Sequence, residues 1–266
     1  MGEMSSRNNL RPRGNLVFGV GAIHRLPFQT QRIRLVRQAL DLGFRRFDVA
    51  PAYGNGLNEI ELANSLVGFR SECMIATKFG IPSDLYGARH PRLFLLQRGL
   101  RRLRAKEYGE EYKRRIFNGQ EMTRSLEGSL KRLKRDYVDD LLLHEPLEPL
   151  GEAELQDIHE QADRLKEQGK ILRWGAAGPV NSIIQFRADP FIDVFQFPLS
   201  DFAKVVVSPL RKKVAYGVYQ SYQRNIADKR TTFAEFVKSR LDIDRIDIII
   251  ASTSPKTLAG FQDCFR

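Results

Sequence analysis

Four polar residues end or closely follow short apolar runs in this chain: Asp48, Tyr53, Lys78 and His144. The runs are Arg46-Phe47-Asp48-Val49-Ala50, Cys73-Met74-Ile75-Ala76-Thr77-Lys78 and Asp140-Leu141-Leu142-Leu143-His144, and each reads as a strand. A charged group at the end of a buried strand is costly unless it works there. The four are chemically complementary. A phenol, with a pKa near 10, is a poor acid at neutral pH, and a nearby ammonium stabilises the phenolate and lowers that value. A carboxylate beside the lysine holds it in place and keeps it charged. A histidine donates a hydrogen bond to a substrate carbonyl and orients it. Together they would polarise a carbonyl and protonate its oxygen as hydride arrives from a nicotinamide. Taken singly, Tyr53 is an ordinary loop aromatic and His144 an ordinary core histidine. Four such residues at successive strand ends argue against coincidence.

The elements that must position them alternate. Strands are predicted over Leu16–Ala22, Phe44–Ala50, Cys73–Phe79, Val138–His144, Ile171–Ala177, Val194–Leu199, Val214–Val218 and Ile246–Ser252. Helices are predicted over Gln29–Leu42, Asn58–Val67, Met122–Leu133, Glu152–Gln168, Val180–Arg187, Ser200–Leu210, Thr232–Leu241 and Ser254–Phe265. Gly43 reads as a helix C-cap signal, and Asn58 with Glu61 as a capping box. Repeated β-α alternation requires a mostly parallel sheet, and eight units in this length fit a single (β/α)₈ TIM barrel over residues 1–266. In that fold the C-terminal ends of the strands carry the active site. An open doubly wound sheet is the alternative, but Gly19-Val20-Gly21 lacks the third glycine of a dinucleotide-binding turn. Residues 80–121 are too long for a strand-to-helix loop. They read as an insertion over the active-site face, with a basic helix over Leu93–Leu103 and a lid or substrate-selecting role.

Composition narrows the class. The chain has 266 residues, 42% hydrophobic and 28% charged, ordinary for a water-soluble enzyme. No apolar run approaches a membrane span, and residues 1–13 lack a signal-peptide core, so a cytoplasmic protein is expected. Cys73 and Cys264 stand in no metal or redox spacing and read as buried structural thiols; no metal site is expected. The net charge is +11. Fifteen lysines and arginines against five acidic residues between Arg89 and Arg135 account for most of it. A solvated helix face and an exposed insertion explain that patch without a specific nucleic-acid partner. The partner expected is a small-molecule carbonyl or alcohol. The oligomeric state stays open.

Three stretches resemble the aldo-keto reductase family. Gly43-Phe44-Arg45-Arg46-Phe47-Asp48-Val49-Ala50-Pro51-Ala52-Tyr53-Gly54, followed by Asn58-Glu59, resembles its most recognisable signature. The run Ser125 to Leu133, through Asp136-Tyr137-Val138-Asp139 to His144-Glu145-Pro146, is similar to its second. Gly169-Lys170-Ile171-Leu172-Arg173-Trp174-Gly175 resembles its third. The likeness runs from Leu16 to about Phe261 and implies a barrel oxidoreductase with Asp48, Tyr53, Lys78 and His144 as its tetrad and Tyr53 as general acid. It also implies a nicotinamide cofactor, NADP(H) rather than NAD. The residues facing it would be Gly21, Ala22, Asp48, Ala177, Gly178, Gln196, Tyr216 and the turn Ser252-Thr253-Ser254 with Lys256. Gln196 matches a position that binds the nicotinamide amide, and Tyr216 an aromatic that stacks on the ring. The chain departs from the pattern in two places. Ala177-Gly178 stand where Ser-Asn usually binds that amide, and Gly260-Phe261 where Glu-Asn usually grips adenine. The sequence stops at Arg266, inside the last predicted helix, so a C-terminal tail lining the pocket is not expected. A catalytically weak binding or regulatory protein that retains the cofactor pocket is the competing reading. His24, Tyr86, His90 and Glu145 are expected to approach the pocket.

Overall fold

The computed structural model describes residues 16–94, 115–205, 207–208, 211–225, 231–244 and 246–262. The strands are β1 (Leu16–Gly19), β2 (Arg46–Asp48), β3 (Met74–Phe79), β4 (Val138–His144), β5 (Ile171–Ala177), β6 (Val194–Pro198), β7 (Lys212–Tyr216) and β8 (Asp247–Ile250). All neighbours pair in parallel, and β8 pairs with β1 through Leu16 against Ile248 and Phe18 against Ile250. The ring is therefore closed, and the open doubly wound alternative is excluded.

The helices are α1 (Gln29–Asp41), α2 (Leu57–Ser65), α3 (Tyr86–Arg89), α4 (Gly119–Leu133), α5 (Glu152–Glu167), α6 (Val180–Ile183), α7 (Val218–Asn225), α8 (Phe233–Asp244) and α9 (Pro255–Ala259). Helix α4 shows why they pack as they do. Met122, Leu126, Leu130 and Leu133 recur at helical spacing and are all buried, while Asn118 caps the start by accepting from the Glu121 amide at 2.8 Å. Its last residues give way to Lys134 in the left-handed region.

Register, rather than strand length, gathers the polar strand ends. Asp48 aligns with Ala76 on β3, and Lys78 lies two residues beyond it on the same face. Lys78 aligns with Leu142, and His144 lies two residues beyond that. His144 aligns with Ala177, which aligns with Gln196 on β6. From β2 to β4 each step around the barrel climbs two residues, while His144, Ala177 and Gln196 lie level, and these inward-facing residues converge at the C-terminal rim. Opposite that rim the barrel is closed by charge. Arg46 pairs with Asp247 at 2.7 Å, Lys212 with Asp140 at 2.7 Å and Asp247 at 3.2 Å, and Arg173 with Asp140 at 2.6 Å.

Several boundaries depart from the sequence reading. Val218 begins α7 instead of ending β7, because Gly217 at φ +68° turns the chain out of the strand. Residues 199–204 form a 3-10 turn where a helix to Leu210 was predicted. The predicted capping box is absent, since Asn58 and Glu61 both lie within α2. Asn58, fully buried, donates to the carbonyls of Val20 at 2.7 Å and Gly21 at 3.2 Å. Glu61 receives the Arg32 guanidinium at 2.9 Å. Both residues tie α2 to its neighbours rather than satisfying its own N-terminus. Residues 95–103 of the basic helix predicted over Leu93–Leu103 and the thiol Cys264 lie outside the described residues. Cys73 is buried, which pushes its thiol up to about 11. Among the described residues no helix is long and apolar enough to cross a membrane, and no group of three or more His, Cys, Asp and Glu is placed to hold a metal ion.

Candidate active site

The four strand-end residues meet. The Lys78 ammonium donates to both carboxylate oxygens of Asp48, at 2.7 and 2.8 Å, and to the Val49 carbonyl at 3.2 Å. It stands 5.0 Å from the centre of the Tyr53 ring. That ring meets His144 edge-on, with centroids 5.6 Å apart and planes at 85°. The Gln196 side-chain amide donates to Asp48 Oδ1 at 2.8 Å. Asp48, Lys78, His144 and Gln196 are all buried.

Tyr53 is placed by an unusual turn. Gly54, Asn55 and Gly56 have φ of +60°, +51° and +83°, three left-handed residues in succession. Two glycines adopt that region without strain, and asparagine tolerates it best among the others. The turn is braced by α3. A Cβ on Gly87 would stand 2.0 Å from the Gly54 carbonyl, so the two backbones are in contact and only glycine fits. Phe94 is buried beside them, its ring 5.9 Å from that of His24. The first part of the stretch read as an overhanging insertion therefore buttresses the Tyr53 turn.

Electrostatics assigns protonation states. Burial pushes the Tyr53 phenol up, the Lys78 ammonium pulls it down, and burial prevails. The lysine acts in the direction the sequence analysis gives it, and burial outweighs it. Burial alone would depress Lys78; Asp48 and then Tyr53 outweigh it and hold its pKa above the usual lysine value. His144 lies well below the usual histidine value, first through burial and then through the charges of Lys78 and Arg115. At neutral pH the site thus holds a protonated phenol, a charged ammonium and a neutral imidazole.

These residues line a cleft of about 600 Å³ at the C-terminal rim. Gly21, Ala22, Asp48, Ala177, Gly178, Gln196, Tyr216, Ser252, Thr253 and Ser254 line the same cleft, together with Tyr53, Lys78 and His144. Lys256 is exposed and stands outside the lining. Of the four residues expected to approach the pocket, only Glu145 does so. Tyr86 and His90 pack on each other 4.8 Å apart, and His24 faces Phe94 and Asn58. Glu145 has φ +54° and pairs with Arg115 at 3.1 Å. Ala177 and Gly178 bring no polar side chain, and a Cβ on Gly178 would meet Ser182 Oγ at 2.5 Å. The Gln196 Oε1 is buried with no hydrogen-bond partner among the described residues. Ser254 Oγ caps α9 by accepting from the Thr257 amide at 3.3 Å, and Ser252 Oγ accepts from the Ser254 amide at 3.0 Å.

Sequence reasoning missed Asn58, which pins the β1 loop carrying Gly21, and the cleft residues Arg25, Tyr219, Gln220, Phe233 and Thr257. A fully buried asparagine inside a helix was a readable signal only once α2 was known to start at Leu57. The others carry no local pattern.

Comparison with known proteins agrees with this geometry. The aldo-keto reductase YhdN of Bacillus subtilis is 27% identical over 208 residues, which are 75% of this chain and 54% of that protein. L-galactose dehydrogenase of Arabidopsis thaliana is 25% identical over 192 residues, 71% of this chain and 48% of that one. The chain thus spans about half the length of these curated relatives. In fold it is similar to the holo form of an aldo-keto reductase of Bacillus halodurans, with a TM-score of 0.72 and 16% identity over 94% of this chain and 86% of that one. An aldo/keto reductase of Klebsiella pneumoniae in complex with NADP and acetate gives a TM-score of 0.64 at 17% identity, covering 94% of this chain and 85% of that one. Residues 15–198, which run from β1 through β6 and contain the whole tetrad, match the family described as the aldo/keto reductase family, and the chain belongs to that family.

Proposed function

We propose that this protein is an oxidoreductase that reduces an aldehyde or ketone to an alcohol, or runs the reverse reaction, with NADP(H) and with Tyr53 as general acid. The observation that carries this reading is the Lys78 ammonium, clasped by Asp48 beneath the Tyr53 ring and beside a neutral His144, on the wall of one cleft. The residues present fit a nicotinamide dinucleotide. The orphaned Gln196 Oε1 is an acceptor waiting for a donor, as a carboxamide NH₂ would be. Tyr216 supplies an aromatic surface in the same cleft. Ala177 and Gly178 leave Gln196 as the side chain holding that amide. The Klebsiella protein named above was solved with NADP.

When bound, the reduced nicotinamide supplies hydride to the carbonyl carbon. The chain's own residues handle the proton. His144, neutral, donates one N–H to the carbonyl oxygen and orients it. Tyr53 gives its hydroxyl proton to that oxygen, which becomes the alcohol. Lys78 stabilises the phenolate left behind, and Asp48 holds Lys78 under the ring with its charge offset. In the reverse direction the phenolate accepts the proton. We also propose a single barrel domain in which residues 80–121 select substrate at the mouth, a reading supported by Arg115 reaching Glu145 on the cleft wall.

Two results test this reading. The rate of carbonyl reduction should be flat through neutral pH, because Tyr53 stays protonated and His144 stays neutral. It should fall only as pH rises past the elevated phenol value, while alcohol oxidation rises over that same alkaline range. An inflection near the ordinary histidine value of about 6.5 would hand the essential proton to His144 instead. For the cofactor, fluorescence titration should show NADPH bound at least about tenfold more tightly than NADH, a difference of about 1.4 kcal/mol. Lys256→Ala should weaken NADPH alone, since an ammonium two residues beyond the Ser252-Thr253-Ser254 turn would serve only the extra phosphate. Equal losses for the two cofactors would remove Lys256 from that role.

A further inference from the structure

We infer that the cleft ends in an aromatic platform, the exposed ring of Tyr219 backed edge-on by Phe233 and behind it Phe261, and that the purine base of the dinucleotide stacks on the Tyr219 ring. The inference rests on the cofactor reading above and adds a means of holding adenine where Gly260-Phe261 offers no polar side chain.

All three rings line the cleft that contains the tetrad and the Ser252–Ser254 turn. They come from three separate elements, α7, α8 and the residues after α9. Phe233 is the centre. It meets Tyr219 at 5.3 Å with planes at 86°, and Phe261 at 5.0 Å with planes at 70°. Tyr222 backs it at 5.0 Å and packs in turn on Phe236 at 5.7 Å. The Tyr222 hydroxyl donates to the Thr231 carbonyl at 3.0 Å, which fixes that backing ring.

Burial falls off towards the cleft. Phe261 is 2% exposed, Phe233 is partly buried, and Tyr219 is 48% exposed. A large exposed ring beside other rings is an apolar surface that water covers poorly, and a flat partner removes it from water. The backing rings are held in place before any ligand arrives, so little ordering remains to oppose binding. A planar heteroaromatic group suits such a surface, since every base presents a π-face and stacking does not depend on hydrogen-bond pattern. For the same reason the platform cannot distinguish NADPH from NADH. Its signature therefore differs from that of Lys256.

The test is direct binding to the full chain, read by fluorescence and calorimetry without turnover. The probes are NADPH, NADH, 2′,5′-ADP (the adenosine half alone) and reduced nicotinamide mononucleotide (the other half). Tyr219→Ala should weaken NADPH, NADH and 2′,5′-ADP alike, by about tenfold, as loss of one base–ring stack does. Its affinity for the mononucleotide and its thermal unfolding midpoint without ligand should match wild type. Tyr219→Phe should bind all four as wild type does. Unchanged 2′,5′-ADP binding in Tyr219→Ala overturns the platform, as does an equal loss of mononucleotide binding. In a separate steady-state assay, a change confined to the KM for the carbonyl substrate overturns it too, because the rings would then face substrate. Wild-type protein that binds 2′,5′-ADP through Tyr219 but neither complete dinucleotide would sink the cofactor reading while sparing the platform. Binding of none of the four probes would overturn both.

Discussion

Tyr53→Phe should lower carbonyl reduction by about 10²–10⁴-fold, the usual worth of a positioned general acid. The substitution removes one hydroxyl and keeps the ring. The contacts of that ring, 5.0 Å from the Lys78 ammonium and edge-on to His144, survive, so the cleft keeps its shape. Cofactor affinity should therefore stay near wild type, and the loss should fall on the chemical step. Single-turnover reduction by pre-bound NADPH separates the two. Activity near that of wild type would show that another group supplies the proton. The elevated pKa of Tyr53 bears on the size of the effect. A buried phenol that stays protonated is a ready proton carrier, and it becomes an effective donor because Lys78 stands where the phenolate charge will form.

Lys78→Met should be at least as damaging, and it should also destabilise the fold. Asp48 is 5% exposed, and the ammonium supplies two of its hydrogen bonds. Removing it leaves a buried carboxylate with the Gln196 amide as its remaining side-chain donor among the described residues, and breaking a buried pair in this way costs about 3–5 kcal/mol. Denaturant unfolding measures that term, and the activity loss is then compared under conditions where the variant is fully folded. Asp48→Asn should be milder on both counts. The amide is uncharged and similar in shape, and Lys78 keeps its bond to the Val49 carbonyl. Should the folded lysine variant keep the wild-type pH profile, Lys78 would have no hold on the Tyr53 proton.

That Asp48, Lys78 and His144 come together was legible because polar residues at the ends of apolar strands break a strong local pattern. Asp48, Lys78 and His144 each announce themselves against Phe47, Ile75-Ala76 and Leu143. The strand count and the parallel order followed from alternation alone, and eight of eight strands appear close to where the pattern puts them. What failed were inferences from spacing that ignore the third dimension. Asn58 and Glu61 stand at the separation of a capping box, but the helix had already started at Leu57, and both side chains are used across elements. The net direction of the Tyr53 shift depends on how deeply the turn is packed, which the brace of α3 decides and no local window reveals. Tyr219, Phe233 and Phe261 were invisible as a group because they are far apart in sequence and share no period. The departures at Ala177-Gly178 were readable, whereas the unpartnered, buried Oε1 of Gln196 needed coordinates.

Closure of the ring has a kinetic consequence. Asp48 is oriented by Gln196, 148 residues away, and the cleft draws its walls from β1 at one end of the described chain and the turn after β8 at the other. Such contacts must close long loops before they return any stabilisation, which makes their formation slow. The Asp48–Lys78 pair forms with the β2–β3 pairing, but until Leu16 zips against Ile248 the turn after β8 is not fixed beside β1. A partly assembled barrel would therefore be inert as well as unstable. A cleft whose walls come from β1, β2 and the turn after β8 would be complete only once the last strand pairing forms.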